Sequence, residues 1–213
     1  MEDEFFEDLK EKIQPYFEKT GSHSFDHTQR VYNLALKISE GEKVDIDVVK
    51  VAAFLHDVGR KEEDNNKDIC HAEKGAEIAE KILRGMEFPE SKMEKVLHAI
   101  KVHRHSKQLK AETREAEIIQ DADRLDALGA ITIARMFTTG GRINRILHDS
   151  SIPIEENRED GYSKTTINGF YKKILKLKPE TFNTKKAKEI SKGRYEFVEQ
   201  FIDRFLKEWV GES

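Results

Sequence analysis

Apolar residues recur at intervals of three and four along nearly the whole chain, which is the spacing of one face of an α-helix. Val31, Leu34, Ala35 and Ile38 form one such stripe, and Val48, Val51, Ala52 and Leu55 form the next. Ala76, Ala79, Ile82 and Leu83 follow, then Met93, Val96, Leu97 and Ile100. Ile118, Ile119, Ala122 and Leu125 carry the pattern on into Ala127, Ala130, Ile131, Ala134 and Phe137, with a bend expected near Gly129. The last stripe is the longest and runs through Ala187, Ile190, Val198, Phe201, Ile202, Phe205 and Trp209. Two-residue alternation of strand length is hard to find. Breakers separate the stripes at Gly21, Gly41, Gly59, Gly85 with Pro89, Gly140-Gly141, Pro153, Gly161 and Pro179. The pattern predicts an all-α fold of about eight to ten helices. It reads as one compact multi-helix domain over 1–213, with a core at about 20–135 and a loop and helices at 140–213. The stretch from Gly140 to Asn168 has few periodic apolar residues and reads as a loop or lid.

Composition narrows the class. Hydrophobic and charged residues each make up 37% of the 213 residues, with only 4 Pro and 12 Gly, which excludes collagen-like and Pro/Gly-rich chains. The apolar run from Val48 to Val58 is interrupted by Lys50 and is too short to span a bilayer. Met1 is followed by Glu-Asp-Glu, unlike a basic and then apolar leader. Cys70 has no cysteine to pair with inside the chain. Together these predict a cytoplasmic protein with no membrane partner. The net charge of -4 gives no general drive toward nucleic acid. Charge is unevenly placed, however: residues 1–20 carry seven acidic and three basic side chains, and residues 164–194 carry ten basic and two acidic ones. A polyphosphate or nucleic acid would be drawn to the second segment. Without aromatic residues interleaved for base stacking, a solvated helix face accounts for it better, so nucleic acid is not the expected partner. The 8 His and 41 Asp+Glu matter more, because they offer many ligands to a metal, with almost no thiol.

Two His-Asp dipeptides occur. His148-Asp149 lies among breakers and reads as a loop pair. His56-Asp57 closes the apolar stripe ending at Leu55 and precedes Val58-Gly59, so it is delivered at a helix end partly inside the core. A carboxylate and an imidazole buried there are costly unless a cation or a hydrogen-bond network satisfies them. His27 opens the helix carrying Val31. Asp121, Asp123 and Asp126 crowd the segment Gln-Asp-Ala-Asp-Arg-Leu-Asp-Ala. On a helix Asp123 and Asp126 share a face while Asp121 points nearly opposite, so one ion would not bind all three. A bound divalent ion or Arg124 would relieve their mutual repulsion. Two imidazoles with two carboxylates suit an octahedral Mn2+, Fe2+, Co2+ or Mg2+ better than a closed Zn2+ site. Such an ion acidifies water and neutralises charge on a phosphoryl oxygen, which points to hydrolysis of a phosphoester or phosphoanhydride.

These residues resemble the HD-domain metal-dependent phosphohydrolases. The resemblance rests on four ordered motifs: Ser-His-Ser-Phe-Asp-His-Thr-Gln-Arg-Val at 22–31, Ala-Ala-Phe-Leu-His-Asp-Val-Gly-Arg at 52–60, His-Ala-Glu-Lys-Gly-Ala at 71–76, and Gln-Asp-Ala-Asp-Arg-Leu-Asp-Ala-Leu-Gly-Ala at 120–130. It implies a single HD domain with a C-terminal helical extension, and metal ligands at His27, His56, Asp57 and Asp123, with Asp126 the less favoured alternative. The segments Gly140-Gly141-Arg142, 162–166, Phe170-Tyr171, 175–177 and 194–209 extend it to a bacterial and archaeal subgroup that includes small nucleoside triphosphate pyrophosphohydrolases. His71 and His103 match positions where some HD proteins place extra histidines that donate a proton, orient phosphate or bind a second ion. His23, His98 and His105 read as structural. The ppGpp-hydrolysing members carry an acidic pair soon after His-Asp. Here Glu62, Glu63 and Asp64 follow Gly59-Arg60 in a different register, and the Gly-Tyr-Pro signature of the cyclic di-GMP phosphodiesterases is absent.

The implied activity is metal-dependent hydrolysis of a nucleotide, from triphosphate to monophosphate and pyrophosphate. One divalent ion is expected, Mn2+ ahead of Mg2+, Fe2+, Co2+ or Ni2+. Asp57 and His71 would handle protons, and Arg60, Lys61, His103 and Lys164 would hold phosphates. A phosphomonoesterase or cyclic-nucleotide phosphodiesterase would use the same site. A module that binds nucleotide or RNA without chemistry has no need of the four-ligand set. A homo-oligomer is compatible with the sequence.

Overall fold

The computed structural model describes residues 3–17, 25–104, 107, 109–159 and 161–212; His23, His105 and the first three residues of the 22–31 motif lie outside them. The chain is all-α, and the described residues contain no β-strand. The helices are α1 (Asp3–Ile13), α2 (Phe25–Ser39), α3 (Ile46–Leu55), α4 (Arg60–Asn65), α5 (His71–Gly85), α6 (Glu90–Val102), α7 (Arg114–Asp126), α8 (Ala130–Arg142), α9 (Thr166–Lys172) and α10 (Lys185–Trp209). No helix among the described residues is long and apolar enough to cross a membrane. Each apolar stripe in the sequence corresponds to a helix. α1 lies outside those stripes, and its Phe6, Leu9 and Ile13 are buried. The chain divides into two compact units, residues 1–124 and 125–213.

In the first unit α3 is the central element. Seven of its residues, Val48, Val49 and Val51 to Leu55, are buried, which is the signature of a helix covered on every side. It packs against α2 and α6, and α6 packs against α5. The Asp45 side chain caps α3 by accepting the Asp47 N–H at 3.1 Å, and Lys92 on α6 bridges Asp45 and Asp47 at 3.0 and 2.7 Å. The chain leaves α3 at His56 and enters α4 at Arg60 through Gly59. A side-chain carbon on Gly59 would sit 2.3 Å from the His71 carbonyl oxygen and 2.5 Å from Gly75 N, both rigid backbone atoms. This contact sets the start of α5 against the end of α3.

In the second unit, the expected bend near Gly129 is a full break. α7 ends at Asp126 and α8 begins at Ala130, with Gly129 at φ +85°, where a side chain is strained. The stretch expected to be a loop from Gly140 to Asn168 is helical at both ends, since α8 runs to Arg142 and α9 starts at Thr166. Between them, isolated backbone bridges join Ile146 to Thr165 and Asn157 to Ser163. Phe137, Phe170, Phe201 and Phe205 form an aromatic cluster with ring centroids 5.8 to 6.1 Å apart.

Gly59→Ala forces either the start of α5 or the turn after α3 to move. It is expected to destabilise the protein by about 1–3 kcal/mol, as overpacking does. Urea denaturation checks this, and an unchanged midpoint contradicts the close approach.

Candidate metal centre

Helix ends deliver the candidate side chains. His27 lies in the first turn of α2, His56 and Asp57 follow α3, Arg60 and Glu63 are on α4, His71 is the first residue of α5, His103 follows α6, and Asp123 is on α7. His56 and Asp57 are 0% and 1% exposed and His71 and His103 are each 1% exposed, so these groups must satisfy one another.

The histidine tautomers follow from the acceptors they meet. His56 Nδ1 lies 2.8 Å from the Ala53 carbonyl oxygen, and His103 Nδ1 lies 2.7 Å from that of Ile100. A carbonyl only accepts, so both Nδ1 atoms carry hydrogen. His71 Nδ1 donates to Glu63 Oε2 at 2.7 Å. In each of these rings Nε2 is the atom left to face the cluster.

Asp57 is the common element. On one side His27 Nε2 lies 3.7 Å and His56 Nε2 4.0 Å from its Oδ2, with 3.3 Å between the two imidazole nitrogens. Asp123 Oδ1 is 3.3 Å from His27 Nε2. On the other side Oδ1 accepts from Arg60 Nη2 at 3.0 Å and lies 3.5 Å from both His71 Nε2 and His103 Nε2. Bonds of about 2.1 Å to an octahedral ion place neighbouring ligand atoms about 3 Å apart and opposite ones about 4 Å apart. The atoms of His27, His56 and Asp57 have separations of that size and form a group that could hold a metal ion, and Asp123 stands beside it within 3.3 Å of His27 Nε2.

Burial pushes the His56 imidazole down to about 4, with the Asp57 charge only partly opposing it. Burial also lowers His71, against the pull of Asp57. His103 is buried too, but its hydrogen bond to Asp57 and the Asp57 charge outweigh that and raise it. For Asp123, burial favours the neutral acid, yet the hydrogen bond from His27 and the neighbouring imidazoles hold it well below the usual carboxylate range.

The structure brings together His27, His56, Asp57, Asp123, Arg60, His71 and His103. Lys61 is exposed on α4. Lys164 lies in the second unit, ion-paired with Glu156. Asp126 is also in the second unit, buried and bonded to Arg135 Nη1 at 2.8 Å. Asp121 is buried with Arg124 3.9 Å away, and His98 Nε2 accepts the Glu112 N–H at 3.0 Å. Sequence reasoning gave no role to Glu63 or Arg104. Glu63 receives His71 Nδ1, Arg60 Nη1 at 2.8 Å and Arg104 Nη1 at 2.6 Å. Its spacing of three from Arg60 was the available signal.

The sequence pattern of the HD domain family matches residues 24–128. The chain belongs to the HD superfamily of hydrolases. It is 34% identical to an HD-superfamily hydrolase from Bacillus thuringiensis, whose crystal structure it matches over 98% of both chains with a TM-score of 0.77. A predicted HD-superfamily hydrolase from an uncultured Thermotogales bacterium is 32% identical over 95% of this chain and 92% of that one, with a TM-score of 0.68. YpgQ of Bacillus subtilis, an uncharacterized protein crystallised in complex with ADP, is 26% identical over 97% of this chain and 98% of its own, with a TM-score of 0.73.

The His56 shift makes stability depend on pH. The unfolded imidazole binds its proton near 6.5 and the folded one near 4, so this contribution is complete above 6.5 and is lost as pH falls toward 4. His71 acts in the same direction; His103, being raised, opposes them. The urea midpoint of metal-free protein is expected to drop across this window, with a His56 contribution of at most about 1.4 kcal/mol per pH unit. A His56→Gln variant that keeps the full slope contradicts the assignment.

Proposed function

We propose that the protein is a metal-dependent phosphohydrolase that cleaves a nucleoside triphosphate to monophosphate and pyrophosphate, with a divalent ion, Mn2+ preferred, held by His27, His56, Asp57 and Asp123. The observation that carries this reading is the buried group of His27, His56 and Asp57, whose ligand atoms lie 3.3 to 4.0 Å apart, with Asp123 Oδ1 3.3 Å from His27 Nε2 beside it. When bound, the ion supplies Lewis acidity that activates water and offsets charge on a phosphoryl oxygen.

The side chains of the protein do the rest. Hydrogen bonding to Ala53 holds His56 with its Nε2 lone pair inward. Arg60 places a guanidinium beside Asp57, where its charge favours a phosphate oxygen. His71, with Nδ1–H committed to Glu63, holds its Nε2 lone pair on Arg60 Nη2 at 3.0 Å and so orients that guanidinium, and Asp57 is the carboxylate assigned to take the proton of the attacking water. Lys61 and His103 are assigned as further phosphate contacts. The ADP complex of YpgQ supports a nucleotide as the substrate class.

Asp57→Ala is expected to lower Mn2+-dependent hydrolysis by more than about a hundredfold while the helical circular dichroism persists. Chromatography of the wild-type reaction distinguishes pyrophosphate from orthophosphate as product. Unchanged turnover in the variant overturns the site, and orthophosphate alone overturns the cleavage position.

A further inference from the structure

Asp57, His71 and His103 present a second set of ligand atoms on the far side of the shared carboxylate. Asp57 Oδ1 lies 3.5 Å from each imidazole Nε2, the two nitrogens are 3.3 Å apart, and all three side chains are buried. Arg60 already sits there: its Nη2 lies 3.0 Å from Asp57 Oδ1 and 3.0 Å from His71 Nε2. An ion about 2.1 Å from the same two atoms would press directly against that nitrogen, and two cations so close repel strongly in a dry site. A guanidinium and a metal ion therefore exclude each other at this position.

We propose that Arg60 is the built-in occupant of a latent second divalent-cation site formed by Asp57, His71 and His103. The protein carries one exchangeable ion and one fixed guanidinium, and removing the guanidinium opens the position to a second ion. Glu63 makes Arg60 stay. It takes Arg60 Nη1 at 2.8 Å, and is itself fixed by His71 Nδ1 at 2.7 Å and Arg104 Nη1 at 2.6 Å. The same His71–Glu63 bond turns the His71 Nε2 lone pair toward Arg60, as it would turn it toward a metal. A guanidinium there supplies charge but, unlike a metal ion, would hold no exchangeable water. This inference rests on the proposed function only in taking His27, His56, Asp57 and Asp123 as the first metal site.

The test loads chelator-stripped full-length protein with Mn2+ and counts bound ions by mass spectrometry and calorimetry, with electron paramagnetic resonance reporting coupling between ions. Wild type is expected to bind one Mn2+ with an uncoupled spectrum. Arg60→Ala is expected to bind two with an exchange-broadened spectrum, and Arg60→Ala with His103→Ala to return to one. If circular dichroism shows that Arg60→Ala has not folded, Glu63→Gln is read in its place and is expected to show a second, weaker binding event. Two ions in wild type, or one in every folded variant, overturns the role of Arg60 and leaves the first site standing. No ion in wild type overturns both this inference and the proposed function.

Discussion

Burying the Asp57 carboxylate costs several kcal/mol unless cations or hydrogen-bond donors meet it, and the first unit sets Arg60 against one oxygen and a ring of imidazole nitrogens that can hold a cation around both. Oδ1 receives Arg60 and faces His71 and His103, while Oδ2 faces His27 and His56. These partners come from different helices, so satisfying one carboxylate fixes the ends of α2, α3, α4 and α5 and the residue after α6 relative to one another. The close backbone contact at Gly59 belongs to the same constraint, because it lets α5 start where His71 can reach Asp57. Gln or Ser at the histidine positions could donate to the carboxylate but would offer no set of nitrogen lone pairs to a cation.

Charge balance explains why the site is built from imidazoles. A neutral His56 leaves its lone pair pointing inward, and its carbonyl contact to Ala53 fixes which nitrogen that is. Glu63 does for His71 what the carbonyl does for His56, and adds an anion that holds two arginines. With one thiol in the chain, the ligand chemistry is nitrogen and oxygen, which favours a hard or borderline ion and phosphate chemistry over a soft metal.

The helices carrying the site were legible because their stripes are long and one-sided: α2, α3, α5, α6 and α7 each show the three-and-four spacing that burial against neighbours demands. His56-Asp57 was legible because it closes the most apolar of them, and His27, His71, His103 and Asp123 because their motifs resemble a family's. Glu63 was not, for its partners are fixed by the turn through Gly59 and by residues 41 positions away, which local spacing does not encode. α4 is too short to show a period, and the break at Gly129 read as a bend because the apolar pattern continues on both sides of it.

The central claim is that His27, His56, Asp57 and Asp123 together hold a metal ion. Anomalous diffraction from crystals of the protein grown with Mn2+ tests it directly. The account predicts one strong anomalous peak about 2.1–2.3 Å from His27 Nε2, His56 Nε2, Asp57 Oδ2 and Asp123 Oδ1. A fully loaded crystal with no peak there, or with its peak among other side chains, contradicts it.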